Sequence, residues 1–465
     1  MLFGKRHLSV VFVGFVSLAV APLFVVPLAC GSSDDTPSAA GDAGPVTTGT
    51  TTTTGTSTGT TPPPDAAPPA KPIPFKHVVV VVKENHTFDN YFGTFPGAEG
   101  TTMCKKSDGT SFACPHAPNF TSHDISHAHS AGLVDYNNGK MDGWDLPGSS
   151  NGTNTDNLAY AQYHEEDIPN YWQYAKHFTL ADHFFSEMIG PSFPGHLAVL
   201  AGQAGWALGN PDAIPYWGCD QPSGTRITIQ DQKTCTEKQI FPCFDIPTVP
   251  DILPTGVNWK FYGSNFYVLN EIWSMFNGVK SIRNGPGWQN IVNVSQFETD
   301  IDNKTLPAVS WLVNQDLNGE HPGIPGEGIC NGENWTVKKL NKLMASEYWK
   351  DTVVLFTMDD FGGWYDHVPP PRKYGCDPAA PYGLGFRLPL IIMSPYSKPG
   401  FIFKEVAEHA SIPKFIGKVF GATKTLHDID PAAQDAQAND LMNAFDFNQT
   451  PLVPLILKER TCPAF

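Results

Sequence analysis

The chain is short of positive charge. Thirty Lys and Arg stand against 46 Asp and Glu in 465 residues, a formal net charge of -16. A nucleic-acid partner needs a basic face for its phosphates, and an anionic membrane attracts basic segments, so no nucleic acid and no general membrane attraction is expected. A phosphoester substrate is still open, because an acidic protein can hold phosphate through a metal ion. None of the nine cysteines forms a C-x-x-C pair, which argues against a structural zinc site. Residues 32–74, a Thr/Gly tract followed by a Pro/Ala tract, lack the apolar side chains that build a core. They are expected to be disordered, serving as a tether or a plain spacer.

Apolar and loop-forming residues are plentiful: 41% of the chain is hydrophobic, 12% aromatic, and Gly and Pro number 42 each. At the N-terminus Lys5, Arg6 and His7 precede an apolar stretch over 8–28. Its length would allow a membrane span, but Pro22 and Pro27 interrupt it and it ends in Ala29-Cys30-Gly31. A basic start, an apolar middle and small residues at the end describe a secretory signal over 1–30. The ending resembles a bacterial lipoprotein signal, which implies lipidation of Cys30 and an outer-membrane lipoprotein. Pro27 stands where such signals usually carry leucine, and an ordinary signal with a periplasmic or secreted product is the alternative. After the signal come a linker, 31–74, and one domain, 75–465, without internal repeats. Besides Cys30 there are eight cysteines, which in an exported chain suggest up to four disulfides. Cys104 and Cys114 flank a short Gly-containing turn and are expected to pair.

Strands are expected over 78–82, 257–262, 308–313, 352–357 and 388–393, with helices over 335–350 and 411–420 among the segments between them. Strands alternating with helices indicate an α/β fold with a mostly parallel sheet. The stretch 209–248, with three cysteines and little periodicity, reads as a disulfide-pinned excursion.

Five segments carry plausible chemistry. Five valines, 78–82, form a β-branched run suited to a strand buried on both faces. Glu84 and Asn85 follow it, at the strand end where α/β sheets keep their ligands; a solvated turn is the plain alternative. Ser192 follows Gly190-Pro191 and opens an apolar helical run. It is either an N-cap or a hydroxyl placed at an anion-favouring helix start, able to attack phosphorus if a cation lowers its pKa. Asp359 and Asp360 end another apolar run; two buried neighbouring carboxylates are costly unless a cation lies between them. His127, in SHDISHAHS, and His321, in EHP, are candidates to contact a phosphate, whereas His123 and His129 read as surface residues. His409 precedes the helix at 411 and reads equally well as a packing residue.

These segments resemble the bacterial phosphoesterase family of phosphatidylcholine-type phospholipases C and respiratory-burst-inhibiting acid phosphatases. KENHTFDNYFG is similar to E-N-x-[ST]-F-D-x-Y-F-G, GPSFPGHL to G-P-[ST]-x-P-N-[HR]-L with Gly195 for Asn, and DDFGGWYDHVPP to D-[ED]-x-G-G-x-[YF]-D-H-V-P-P. HDISH with GKMDGW, EHP and EHAS complete the set in the same order. The resemblance implies an alkaline-phosphatase-like three-layer sandwich. It also implies one divalent metal ion (calcium, magnesium or zinc) held by Glu84, Asn85, Ser192, Asp359 and Asp360. Ser192 would be the nucleophile and form a phosphoserine, with Asn85, His127 and His321 stabilising the phosphoryl oxygens. His409, Asp366 and His367 are further site candidates. The substrate would be a phospholipid or a small phosphomonoester, cleaved by a monomer. Phe193, Trp144 and Trp364 favour an apolar or choline-like group on it. A non-catalytic cell-surface binding protein is the alternative from another class. A sulfatase fits less well, because the Ser192 segment lacks the arginine of C/S-x-P-x-R.

Overall fold

The computed structural model describes residues 72–147, 156–213, 217–231, 234–263, 274–313, 316–371 and 383–465. The expected signal, Cys30 and all but the last three linker residues lie outside these ranges. The strands are β1 (His77–Lys83), β2 (Met103–Lys105), β3 (Ser111–Ala113), β4 (Thr179–Phe185), β5 (Ile227–Gln230), β6 (Glu237–Ile240) and β7 (Trp259–Gly263). They continue with β8 (Ile291–Asn293), β9 (Val309–Val313), β10 (Thr352–Met358), β11 (Arg387–Met393), β12 (Phe401–Phe403) and β13 (Ala407–Glu408).

Nine strands form one sheet in the order β12-β4-β11-β10-β1-β9-β7-β8, with β13 also paired to β4. β1 lies at its centre, parallel to β10 on one side and β9 on the other. Its five valines are at most 1% exposed, so the continuous apolar run marks a strand covered on both faces. Among the described strands of this sheet only β11 runs against the rest, antiparallel to both β10 and β4. Helices flank this mostly parallel sheet. The helix Ser192–Ala201 packs on Ser411–Phe420, and Pro169–His177 packs on Ile329–Met344. The fold is α/β, as expected.

All five expected strands are present, with ends shifted by one or two residues. β4 is an addition: in TLADHFF, Asp182 and His183 interrupt the apolar pattern. The helix expected over 335–350 runs instead over Ile329–Met344. Its first turns, with Ile329, Cys330 and Gly332, are buried. It stops where the Ser346 hydroxyl donates to the Leu343 carbonyl at 2.6 Å and so competes with the helical ladder. Cys104–Cys114 is a disulfide, and Cys219–Cys243 pins the excursion that holds the β5–β6 hairpin. Cys330–Cys462 ties the start of Ile329–Met344 to the C-terminal segment, and Cys235 is also disulfide-bonded.

Candidate active site

Two adjacent strand ends supply most of the site. The β1–β10 register pairs Lys83 with Met358, and the Asp359 N–H donates to the Lys83 carbonyl at 3.0 Å. Glu84-Asn85 therefore emerges beside Asp359-Asp360. Asn85 turns the chain with φ +62°, a conformation asparagine tolerates better than most residues, and its N–H donates to Asp359 Oδ1 at 3.0 Å. A Cβ at Gly362 would lie 2.1 Å from the Asn85 carbonyl oxygen, so the second strand end passes the first only with glycine there.

The helix Ser192–Ala201 supplies the rest. The Ser192 hydroxyl lies 3.1 Å from Asp360 Oδ2 and 3.4 Å from Asn85 Oδ1. One turn on, His196 Nε2 lies 2.9 Å from Glu84 Oε1 and 3.5 Å from Asp359 Oδ2. Between them is Gly195, where a Cβ would meet the Asp359 carbonyl oxygen at 2.1 Å. The departure from the family's asparagine lets the helix rest directly on the backbone that carries the acid pair.

All six side chains are buried. Burial, then the charge of Asp360, raises Glu84 well above its ordinary range. Burial, then Asp360 and Glu84, does the same to Asp359. Burial pushes Asp360 up to about 8 despite hydrogen bonds from Gly362 and Ser192. Three such carboxyls cannot all ionise unless a cation joins them.

The Asn85 amide tests whether one fits. His127 Nδ1 is 2.7 Å from the Ile125 carbonyl, and His321 Nδ1 is 2.7 Å from the Pro322 carbonyl. A carbonyl only accepts, so each Nδ1 carries the proton and, in the neutral ring, each Nε2 is an acceptor. Burial, then His127, lowers His321 to about 3, which keeps it neutral. The Asn85 NH2 accordingly belongs on the histidine side, 3.3 Å from His127 Nε2. Its oxygen then faces carboxylate oxygens of Glu84 and Asp359 with the Ser192 hydroxyl 3.4 Å away, an arrangement that the reversed amide would relieve. With the histidines as their carbonyl partners set them, a cation among those oxygens makes the observed orientation favourable. The donor set fits a divalent metal: carboxylates, an amide oxygen, a hydroxyl and the His196 nitrogen, with Glu84, His196 and Asp359 offering atoms within 4.8 Å of one another.

His127 and His321 stand together beside this cluster, ring centroids 5.5 Å apart, with Asp124 Oδ1 3.4 Å from His127 Nδ1. His196 and Asp124 are absent from the sequence reading. The signal for His196 was its position four after Ser192, on the same helix face.

Other candidates have different places. His409 is buried behind the site with Nε2 3.0 Å from the Met358 carbonyl, and burial lowers it to about 4. Asp366 and His367 belong to a separate buried network. Arg387 Nε contacts both Asp366 oxygens at 3.1 Å, Arg387 Nη2 contacts Asp89 at 2.9 Å, and His367 Nδ1 lies 2.6 Å from Asp89. His129 is 2.6 Å from the Ile189 carbonyl, and His123 is 3.7 Å from Asp156. Phe193, Trp144 and Trp364 are each at most 1% exposed. They are core residues, with no face to offer a choline group, which corrects the expectation placed on them.

The sequence profile of the Phosphoesterase family matches residues 75–423. The chain belongs to that family. Among curated Phosphoesterase relatives, Hemolytic phospholipase C of Pseudomonas aeruginosa is 28% identical over 80% of this chain and 56% of its own length. Phospholipase C A of Mycobacterium tuberculosis is 26% identical over 81% of this chain and 78% of its own. The chain thus spans little more than half of the first of these relatives. Among solved structures, a protein in the alkaline phosphatase superfamily from Vibrio parahaemolyticus aligns with a TM-score of 0.33 and 12% identity, over 76% of this chain and 68% of that one. Within the family match lie both strand ends, the helix Ser192–Ala201 and the His127–His321 pair. Among the described residues no helix is long and apolar enough to cross a membrane.

Proposed function

We propose that this chain is a metal-dependent phosphoric ester hydrolase of the phospholipase C type, with Ser192 as nucleophile. The observation that carries the reading is the meeting of Ser192 Oγ, the Asn85 amide oxygen and three buried carboxylates beside a pair of histidines. Glu84, Asn85, His196, Asp359, Asp360 and Ser192 are the residues that would hold the cation. Such a cation would lower the pKa of the serine hydroxyl and draw charge from a phosphoryl oxygen.

The side chains divide the remaining work. Asp360 Oδ2, 3.1 Å from Ser192 Oγ, receives the hydroxyl proton. Ser192 Oγ attacks phosphorus in line and the ester oxygen leaves, giving a phosphoserine. His127 and His321 present their Nε2 atoms together on one side of the cluster, where they would face the phosphoryl group. Water then attacks the phosphoserine and returns Ser192 with inorganic phosphate or a phosphorylated headgroup. The names of the relatives favour a phospholipid-type diester over a phosphomonoester. Export is supported by the disulfides, which persist in oxidising compartments.

Parallel assays of the metal-loaded protein on p-nitrophenyl phosphate, p-nitrophenylphosphorylcholine and phosphatidylcholine test this. Faster turnover of the choline esters is expected. Preference for the monoester would move the assignment to an acid phosphatase, and no turnover of any would favour a binding protein on this fold. The mature N-terminus is expected at or near Cys30, with acyl mass if lipidated, and intact-mass measurement decides it.

A further inference from the structure

Glu320 immediately precedes His321 and is buried in a place that fits no ordinary loop residue. Its Oε1 lies 3.1 Å from Lys83 Nζ and 2.6 Å from the Tyr171 hydroxyl, and its Oε2 accepts from the Tyr91 hydroxyl. Both charged side chains are fully buried, and Lys83 also donates to the Asn318 carbonyl and sits 4.9 Å from the centre of the Trp335 ring. A buried ion pair is a poor way to gain stability, since apolar side chains of similar volume hold a fold equally well.

Two more costs are concentrated here. Glu320 has φ +77°, a left-handed backbone that glutamate rarely adopts. Gly332 lies inside the helix Ile329–Met344, where glycine is unfavourable, and a Cβ there would lie 2.2 Å from Glu320 Cγ and 2.3 Å from Oε1. A helical position is thus left without a side chain to seat this carboxylate.

The connections of Glu320 lead to the site from two directions. Its carbonyl accepts from His86 Nε2 at 2.9 Å, and His86 follows Asn85. Its carboxylate grips Lys83, which precedes Glu84. Its own chain continues into His321, whose N–H is held by Glu327 Oε1 at 3.0 Å. We propose that Glu320, clamped by Lys83, Tyr91 and Tyr171, is a positioning residue that sets His321 against the Asn85 end of β1. The role rests on the hydrolase reading above and acts through His321. Structures of this kind hold a reacting geometry to within a fraction of an ångström, and displacement of about 1 Å costs on the order of a hundredfold in rate.

The test is a double-mutant cycle on the metal-loaded full chain with p-nitrophenylphosphorylcholine and p-nitrophenyl phosphate. Glu320→Gln is expected to lower kcat roughly ten- to a hundredfold with KM little changed and bound metal unaltered. On a His321→Ala background the same substitution should have an effect under about twofold, because what it positions is gone. Equal losses on both backgrounds, or wild-type kcat in a folded Glu320→Gln protein, overturn the proposal. If Glu320→Gln does not fold, Tyr171→Phe removes one of the clamping hydroxyls and is expected to give a smaller kcat loss that again vanishes with His321→Ala. Wild-type kcat in folded Tyr171→Phe then overturns it. If the wild type turns over neither ester, the hydrolase reading falls and this role with it; if it turns one over and Glu320 is indifferent, only this role falls.

Discussion

Removing the cation should lower the melting temperature of this protein by a few degrees, and the effect should depend on Asp359. Glu84, Asp359 and Asp360 are buried carboxyls raised first by burial, and Glu84 and Asp359 also by the charge of Asp360, so the folded chain is expected to bind a divalent ion far better than the unfolded chain. At free metal about 100-fold above Kd, that linkage is worth about 2.7 kcal/mol. An unfolding entropy of about 2.1 cal/mol/K per residue, taken over the family span 75–423, converts this to about 3–4 °C. Differential scanning fluorimetry with and without chelator, paired with metal analysis of the dialysed protein, measures both quantities. Asp359→Asn should lose the metal, and its melting should be nearly indifferent to chelator. Wild-type metal stoichiometry in Asp359→Asn, or an unchanged wild-type melting temperature on chelation with metal shown to be gone, would refute the reasoning.

Three further outcomes are expected. Ser192→Ala should lower kcat on a p-nitrophenyl ester by roughly a thousandfold or more while the fold, followed by circular dichroism, is retained. Gly195→Ala should destabilise the protein by about 1–3 kcal/mol in urea titration and reduce activity, because its Cβ would lie 2.1 Å from a backbone oxygen of Asp359; wild-type stability would show that the helix shifts freely. His367 should titrate above 6.5 by NMR: burial opposes its charge, but the Asp89 carboxylate at 2.6 Å outweighs it. The folded pKa is the higher one, so this contribution to stability is complete below about 6.5 and is lost as pH rises through the folded value. An Asp89→Asn variant should bring the His367 pKa down, and an unmoved titration would disprove the pairing.

Much of the site could be read from residue order, and what was missed has physical reasons. Val78 to Val82 announces a central strand because only a two-sided core tolerates such a run. Glu84, Asn85, Asp359 and Asp360 were legible because they terminate runs of this kind. Their side-by-side arrival was not, since register between strands far apart in sequence follows from pairing and not from local pattern. β4 escaped because Asp182 and His183 break its apolar run; yet Asp182 is buried, with His183 2.9 Å from one oxygen and the Glu99 N–H 2.9 Å from the other. Asp366 and His367 lie in a run that resembles a functional motif, but Arg387, which gives them their role, is 20 or more residues away in sequence. The tryptophans illustrate the opposite error, in which residue chemistry suggests a ligand and packing decides otherwise.

The pairing of β1 with β10 has a consequence for how the protein matures. Glu84 and Asn85 come from near the start of the domain, Asp359 and Asp360 from more than 270 residues later, and they meet only because Lys83 lies opposite Met358. A slip of one residue would turn every side chain on the displaced strand to the other face and separate the four donors. Such a long-range parallel pairing forms late, since the intervening chain must be gathered before the contact rewards it. Capture of the proposed cation would therefore be a time stamp for completion of the central sheet. On the proposed function, a chain whose halves are out of register would lack both the donors for the ion and the partners of Ser192.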